Sequence, residues 1–224
     1  MNIAENILKH SLQNVYFLTG TALAGKTTMS KILAKKHGFL HFNDNWHEDN
    51  FKTWQLICDE RYQKKATKRK AVTDWEAYFG RRVEEFLADE DFHGHNEYLE
   101  FALIELIKMS QKGRVVADIG IPMSLLSEIS DYNRVACMLA SPELCTCENY
   151  GKREDHREFL ECILSLKDPE KKIAVQDELF RIGIERTAEE AREYGFFTIM
   201  RTVESTVEGT LALLEGHFEG CGTY

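Results

Sequence analysis

Apolar and polar positions along the chain fall into two kinds of segment. Short apolar runs bounded by polar or glycine positions read as strands at 14–19, 39–42, 114–118 and 196–200, and the stretch 132–139 contains a further one. Between them, apolar residues recur at spacings of three and four, which predicts helices. The first helix covers 4–12. The second follows residue 26, carries Met29, Ile32 and Leu33, and stops at Gly38. A polar helical stretch over 46–90 places Phe51, Trp54, Ile57, Cys58 and Tyr62 on one face, and Thr73-x-x-Glu76 caps a further helix through Trp75, Phe79, Val83 and Phe86. Residues 96–111 turn Leu99, Ala102, Leu103 and Leu106 inward and end at Gly113. Ser141-Pro142 and Asp168-Pro169 each open a helix with a cap followed by proline. Thr187-x-x-Glu190 caps a short helix ending at Gly195, and Ser205-x-x-Glu208 caps the last, with Val207, Leu211, Leu214 and Phe218 facing the core. Strands alternating with helices predict an α/β domain, a parallel sheet covered on both faces.

One loop changes the picture. Gly20-Thr21-Ala22-Leu23-Ala24-Gly25-Lys26-Thr27 fits G-x-x-x-x-G-K-[ST], between the first apolar run and the second helix. Glycines at 20 and 25 allow the backbone to turn its N–H groups inward around a phosphate chain. The helix beginning near Lys26 adds unpaired N–H groups and the positive end of its dipole. Gly20, Ala22, Leu23, Ala24, Gly25, Lys26, Thr27 and Thr28 are therefore expected to bind nucleotide. Lys26 would bridge the β- and γ-phosphates, and the Thr27 hydroxyl would ligate Mg²⁺.

Composition narrows the rest. A chain of 224 residues that is 43% hydrophobic holds a real core and suits one α/β unit with an inserted segment. A formal net charge of −9 argues against a protein that coats nucleic acid or a membrane surface, although a local basic face is still open. Six cysteines lie without a repeated spacing and the N-terminus lacks a signal pattern, so the expected location is cytoplasmic with reduced thiols. Cys145-x-Cys147 has no second pair to complete a tetrahedral metal site. No apolar run approaches the ~20 residues needed to span a bilayer.

The chain has no Asn-Lys-x-Asp guanine reader, no Ser-Gly-Gly signature, and Ile119-Gly120 rather than Glu after Asp118. These absences set aside GTPases, ABC ATPases and motor-type ATPases. With its phosphate loop on the first strand, an acid after the second, inserted helices and a basic segment after the fourth, the chain resembles the nucleoside-monophosphate-kinase-like P-loop kinases. That group contains adenylate, shikimate and gluconate kinases and chloramphenicol phosphotransferase. The resemblance spans nearly the whole length as an order of parts, with the phosphate loop its one specific motif. It implies a three-layer α/β/α P-loop NTPase fold with a five-stranded parallel sheet in the order 2-3-1-4-5. It also implies a single domain over 1–224, with a helical acceptor-binding insertion at about 46–95 and a lid at about 148–165. The activity implied is phosphoryl transfer from ATP, or another NTP, with Mg²⁺ to a small acceptor such as a metabolite, nucleoside or nucleotide.

Further residues take roles from that resemblance, each beside a plainer reading. Asp44, after the second strand, would contact substrate and take the proton of an attacking hydroxyl; otherwise Asn43-Asp44-Asn45 is a capping turn. Asp118 would hold Mg²⁺ through water, or simply end a strand. Asp118 to Pro122 looks like the Asp-Gly-Phe-Pro-Arg segment of adenylate kinases with one residue inserted and the Arg missing. In the lid, Lys152, Arg153 and Arg157 would neutralise charge on the transferring phosphate, or form a solvated helix face. The adenine-stacking Arg expected seven residues after Pro142 is replaced by Asn149, which leaves the base open. Residues 61–70 hold Arg61, Lys64, Lys65, Lys68, Arg69 and Lys70 without an acid, and Arg81 and Arg82 follow. They suggest an anionic acceptor, a nucleic-acid end, or only a solvated face. A polynucleotide kinase and a non-catalytic nucleotide-binding regulator are the alternatives.

Overall fold

The computed structural model describes residues 7–43, 72–88 and 96–218. The strands are β1 Val15–Gly20, β2 Leu40–Asn43, β3 Val115–Asp118, β4 Val135–Ala140 and β5 Phe197–Arg201. They form one sheet ordered β2-β3-β1-β4-β5, and every pairing is parallel. The three inner strands are buried on both faces, as their unbroken apolar runs require.

The helices are α1 Ile7–Ser11, α2 Lys26–His37, α3 Trp75–Phe79, α4 Val83–Leu87, α5 Asn96–Ser110, α6 Met123–Ile129, α7 Cys147–Gly151, α8 Arg157–Leu164, α9 Pro169–Glu193 and α10 Val207–Phe218. Successive strand residues point to opposite faces. Val15 and Phe17 therefore join Val115, Ala117 and Leu139 against Leu106 of α5, Leu126 of α6 and Ala191 of α9. Tyr16 and Leu18 join Val116, Ala136 and Met138 against Leu33 of α2 and Leu214 of α10. Two apolar layers thus enclose the sheet, giving the three-layer α/β/α architecture and strand order expected above.

Several boundaries differ from the sequence pattern, each for a local reason. The helix expected through Trp75, Phe79, Val83 and Phe86 is two short helices. Asp74, not Thr73, caps α3 by accepting Ala77 N–H at 2.9 Å. Gly80 ends that helix, and the Glu85 carboxylate restarts the next by accepting Arg82 N–H at 2.7 Å. Ser141-Pro142 opens only a turn, in which Ser141 O accepts from both Leu144 N and Cys145 N. The helix waits for Thr146, whose hydroxyl accepts Asn149 N–H at 3.2 Å.

Asp168-Pro169 does start a helix, but α9 runs 25 residues straight through Thr187. Thr187 Oγ1 bonds back to Gly183 O at 2.7 Å, and Glu190 leaves its own helix to accept Met123 N–H at 2.8 Å, so neither serves as a cap. At the last helix Thr206 rather than Ser205 is the cap, accepting Gly209 N–H at 3.0 Å, which leaves Val207 exposed. A 3₁₀ turn, Tyr132–Arg134, precedes β4 within the stretch expected to contain that strand. Helix α6, absent from the sequence reading, spans only seven residues.

Candidate phosphate-binding site

The loop after β1 is shaped by two neighbours. Gly20 has φ 119°, and a Cβ there would stand 2.0 Å from Met138 O, so only glycine lets β1 end this close to β4. Thr21 anchors the turn by donating its N–H to Met138 O at 3.0 Å and accepting Ala140 N–H on its hydroxyl at 2.9 Å. Leu23 and Gly25 are both left-handed, at φ 59° and 89°. For Leu23 that conformation costs about 1–2 kcal/mol and is held by its surroundings. Ala24 is buried against the sheet, and α2 starts at Lys26. The first N–H groups of a helix have no intrahelical acceptor, which leaves those of Lys26, Thr27 and Thr28 facing the loop.

Lys26 Nζ folds back over this turn, donating to Thr21 O at 2.7 Å and Gly20 O at 3.4 Å. Thr27 Oγ1 donates to Asp118 Oδ2 at 2.5 Å. Asp118 ends β3 with 2% of its surface exposed, beside Asn43 of β2 in the parallel register. Behind Thr27, Ser30 Oγ gives its proton to Thr27 O at 3.1 Å, so His41 Nε2, 2.9 Å from the same hydroxyl, is the donor to it. Burial lowers the His41 pKa; the Asp118 charge opposes that shift and Lys31 adds to it.

The sequence reading missed Arg201. At the end of β5, its Nη1 donates to Leu23 O at 2.5 Å. No motif carries this contact; only the strand order, which puts β5 next to β4, could have pointed to it.

The thiols near the loop are structural. Cys145 Sγ donates to Ala22 O at 3.6 Å and burial pushes its pKa up to about 11; burial also raises Cys137 to about 12 and Cys147 to about 12. Cys145 and Cys147 pack into separate apolar clusters. No group of three or more candidate metal-binding side chains occurs among the described residues.

The segment expected as a lid is α7, a 3₁₀ turn at Glu154–His156, and α8. Tyr150 stacks on His156 at 4.2 Å and meets Phe159 and Phe180, each at 5.4 Å. A Cβ on Gly151 would lie 2.2 Å from Leu160 Cβ, which fixes the close approach of α7 to α8. Phe79 of α3 enters the same small cluster with Cys147 and Ile163. Glu76 ties that helix to α9 by accepting from Lys172 Nζ at 2.6 Å and Lys167 N at 3.0 Å.

Arg153 lies 5.9 Å over the Tyr150 ring, Lys152 pairs with Glu148 at 2.8 Å, and Arg157 opens α8. Arg81 sits between Tyr78 and Phe86, at 4.3 and 4.0 Å from the ring centres, while Arg82 is exposed beside Glu85. The contacts thus bring Gly20, Leu23, Lys26, Thr27 and Asp118 together. They place the four arginines expected at the acceptor and lid in the α3–α4 and α7–α8 pieces. Asp44 and the basic tract at 61–70 lie outside the described residues.

A parallel sheet ordered 2-3-1-4-5, with a Gly-Lys-Thr loop between its central strand and the next helix, defines a P-loop NTPase fold in the arrangement of the nucleoside-monophosphate-kinase-like group. No family model and no curated protein matches the chain. Among solved structures it is similar to a shikimate kinase from Acinetobacter baumannii in complex with shikimate, at 19% identity over 92% of this chain and 90% of that one, with a TM-score of 0.46. It is also similar to a shikimate kinase from Bacteroides thetaiotaomicron, at 16% identity over 92% of this chain and 98% of that one, with a TM-score of 0.46. No helix among the described residues is long and apolar enough to cross a membrane.

Proposed function

We propose that this chain is a kinase that passes the γ-phosphoryl group of ATP to a small-molecule acceptor with Mg²⁺. The reading rests on the Thr27–Asp118 pair, a hydroxyl and a buried carboxylate 2.5 Å apart at the end of the phosphate loop. An alcohol and an acid are the hard oxygen donors that Mg²⁺ takes, directly or through water, so the residues present fit the metal. The loop's glycines and the start of α2 fit a polyphosphate. Bound Mg²⁺ supplies charge neutralisation along the phosphate chain.

Within this reading the backbone over Gly20, Ala22, Leu23, Ala24, Gly25 and Thr28 holds the phosphates. Lys26 exchanges its loop carbonyls for β- and γ-phosphate oxygens, and Thr27 and Asp118 hold the metal. An acceptor oxygen attacks the γ-phosphorus in line, the bond to the β–γ bridging oxygen breaks, and ADP leaves. For a hydroxyl acceptor the proton goes to Asp44. Arg153 and Arg157 of the lid at about 148–165 offset the developing charge, and Arg81 and Arg82 of the insertion at about 46–95 receive an anionic acceptor. The reading includes a cytoplasmic location, supported by six cysteines that lie without a repeated spacing.

The test is an ATP-consumption screen with Mg²⁺ over metabolites, nucleosides, nucleotides and oligonucleotide ends. Turnover with one small-molecule class supports the proposal. Turnover confined to oligonucleotides replaces it with a polynucleotide kinase, and tight ATP binding with no transfer makes the chain a nucleotide-binding regulator.

A further inference from the structure

The backbone of Arg201 is fixed by the sheet: the residue lies opposite Ala140 of β4, and its carbonyl accepts Ser141 N–H at 2.8 Å. From that anchor the side chain reaches the phosphate loop. Nη1 donates to Leu23 O at 2.5 Å, and Cδ and Nη1 each lie 3.8 Å from where a Cβ on Gly25 would stand. Among the described residues the Arg201 side chain pairs with no carboxylate, and its one hydrogen-bonded partner there is this loop carbonyl. Leu23 is also the one non-glycine residue of the loop at positive φ.

We infer that Arg201 is a positioning residue for nucleotide, fixing the Leu23–Ala24 peptide so that its amide faces the phosphate chain. The peptide is planar and trans, so the Leu23 carbonyl and the Ala24 N–H point in opposite directions. A guanidinium that holds the oxygen on the β5 side therefore directs the amide to the other side. The buried Ala24 side chain prevents the plane from swinging.

The rest of the loop follows the same rule. Lys26 holds the carbonyls of Gly20 and Thr21, Cys145 Sγ holds that of Ala22, and Arg201 holds that of Leu23. Four successive carbonyls are engaged by side chains and the Thr21 N–H goes to Met138 O, so the N–H groups that follow Thr21 are the ones left for an anion. Lys26 is the partner that moves to phosphate in the proposed function, and the Cys145 contact is weak. Arg201 is thus the fixed, charge-assisted member of the set.

The inference rests on the nucleotide-binding reading, and the experiment separates the two. ATP affinity is measured by calorimetry for the wild type, Lys26→Ala, Arg201→Met, which keeps the aliphatic stem, and Arg201→Lys, which keeps a donor. Backbone order parameters are measured at Leu23, Ala24 and Gly25 without nucleotide. Loss of one charge-assisted hydrogen bond should weaken ATP binding about 10- to 100-fold in Arg201→Met. Order at Leu23 and Ala24 should fall while the rest of β5 keeps wild-type values. Arg201→Lys should recover most of both.

Wild-type affinity in Arg201→Met, with binding abolished in Lys26→Ala, would overturn the inference and leave the phosphate loop standing. Weakened affinity with unchanged order at Leu23 and Ala24 would also overturn it, since the charge would then act without positioning. A wild type that binds ATP no better than Lys26→Ala would overturn both readings.

Discussion

Thr27→Ala tests the Thr27–Asp118 pair in two independent ways. The substitution removes a methyl and the hydroxyl that donates to Asp118 Oδ2 at 2.5 Å, while the carboxylate stays at 2% exposure. A hydrogen bond to a charged group contributes about 1.5–3 kcal/mol, and water cannot readily replace the lost donor at a site this buried. A loss near ~2 kcal/mol corresponds to a fall of about 4–8 °C in Tm for a domain of this size. The assay is urea unfolding of the ligand-free protein at pH 7, paired with ATP titrations over a series of Mg²⁺ concentrations. Thr27→Ala should be destabilised and should lose the Mg²⁺ enhancement of binding, whereas Thr27→Ser, which keeps the hydroxyl, should retain most of both. If Thr27→Ala unfolds at the wild-type midpoint, the pair contributes nothing net. If its Mg²⁺ titration matches wild type, the two oxygens are not the metal site.

Lys26→Ala should keep the fold yet lose ATP binding, so the roughly 2.7 kcal/mol of stabilisation expected at about 100 times Kd should be missing from its melting curve; a wild-type nucleotide shift would refute the loop assignment. Gly20→Ala should be among the most destabilising loop changes, by about 3 kcal/mol or more, because its Cβ meets the Met138 backbone at 2.0 Å and its φ of 119° strains alanine; a midpoint within 1 kcal/mol of wild type, by chemical denaturation, would contradict the geometry. Burial lowers the folded-state pKa of His41 and of His217, against the backbone acceptors Val135 and Tyr132 in the latter case. The unfolded chain then takes up more protons, so stability is full above the unfolded value near 6.5 and is lost as pH falls through that value toward the lowered folded ones. Unfolding free energy measured from pH 8 to 5.5 should fall, His217→Gln should flatten the slope, and a rise on acidification would reverse the sign of the argument.

The sequence reading recovered what is periodic or local. All five strands were placed within a few residues; the three inner ones are buried on both faces and so leave unbroken apolar runs. Gly38 was found as the end of α2 because its left-handed φ of 68° is a glycine signature. Caps were less legible, since adjacent residues such as Thr73 and Asp74, or Ser205 and Thr206, offer the same chemistry and tertiary context chooses between them. Thr187 and Glu190 form a capping pair in sequence and do other work in the fold. At the candidate site the motif pointed to Lys26 and Thr27 and the end of β3 to Asp118, and the structure bonds Thr27 to Asp118 and folds Lys26 over the loop. Arg201 was not legible, since its partner is a backbone carbonyl 178 positions away and leaves no side-chain pattern.

The parallel sheet itself explains why residues so distant in sequence converge. All five strands run the same way, so Gly20, Asn43, Asp118, Ala140 and Arg201, each the last residue of its strand, lie along one edge. Ligands of open α/β sheets bind at that carboxyl edge. The order 2-3-1-4-5 then divides the edge by charge around the loop on β1. Asp118 stands on the β3 side, bonded to Thr27, and Arg201 stands on the β5 side, bonded to Leu23. A polyphosphate lying in the loop would therefore meet its metal oxygens on one flank and a fixed cation on the other. Asn43, the last residue of β2, lies beside Asp118 in the register, on the same flank of the loop. On the proposed function, charge on the transferring group would be neutralised on the Asp118 flank, and the Arg201 flank would be left to hold the shape of the loop.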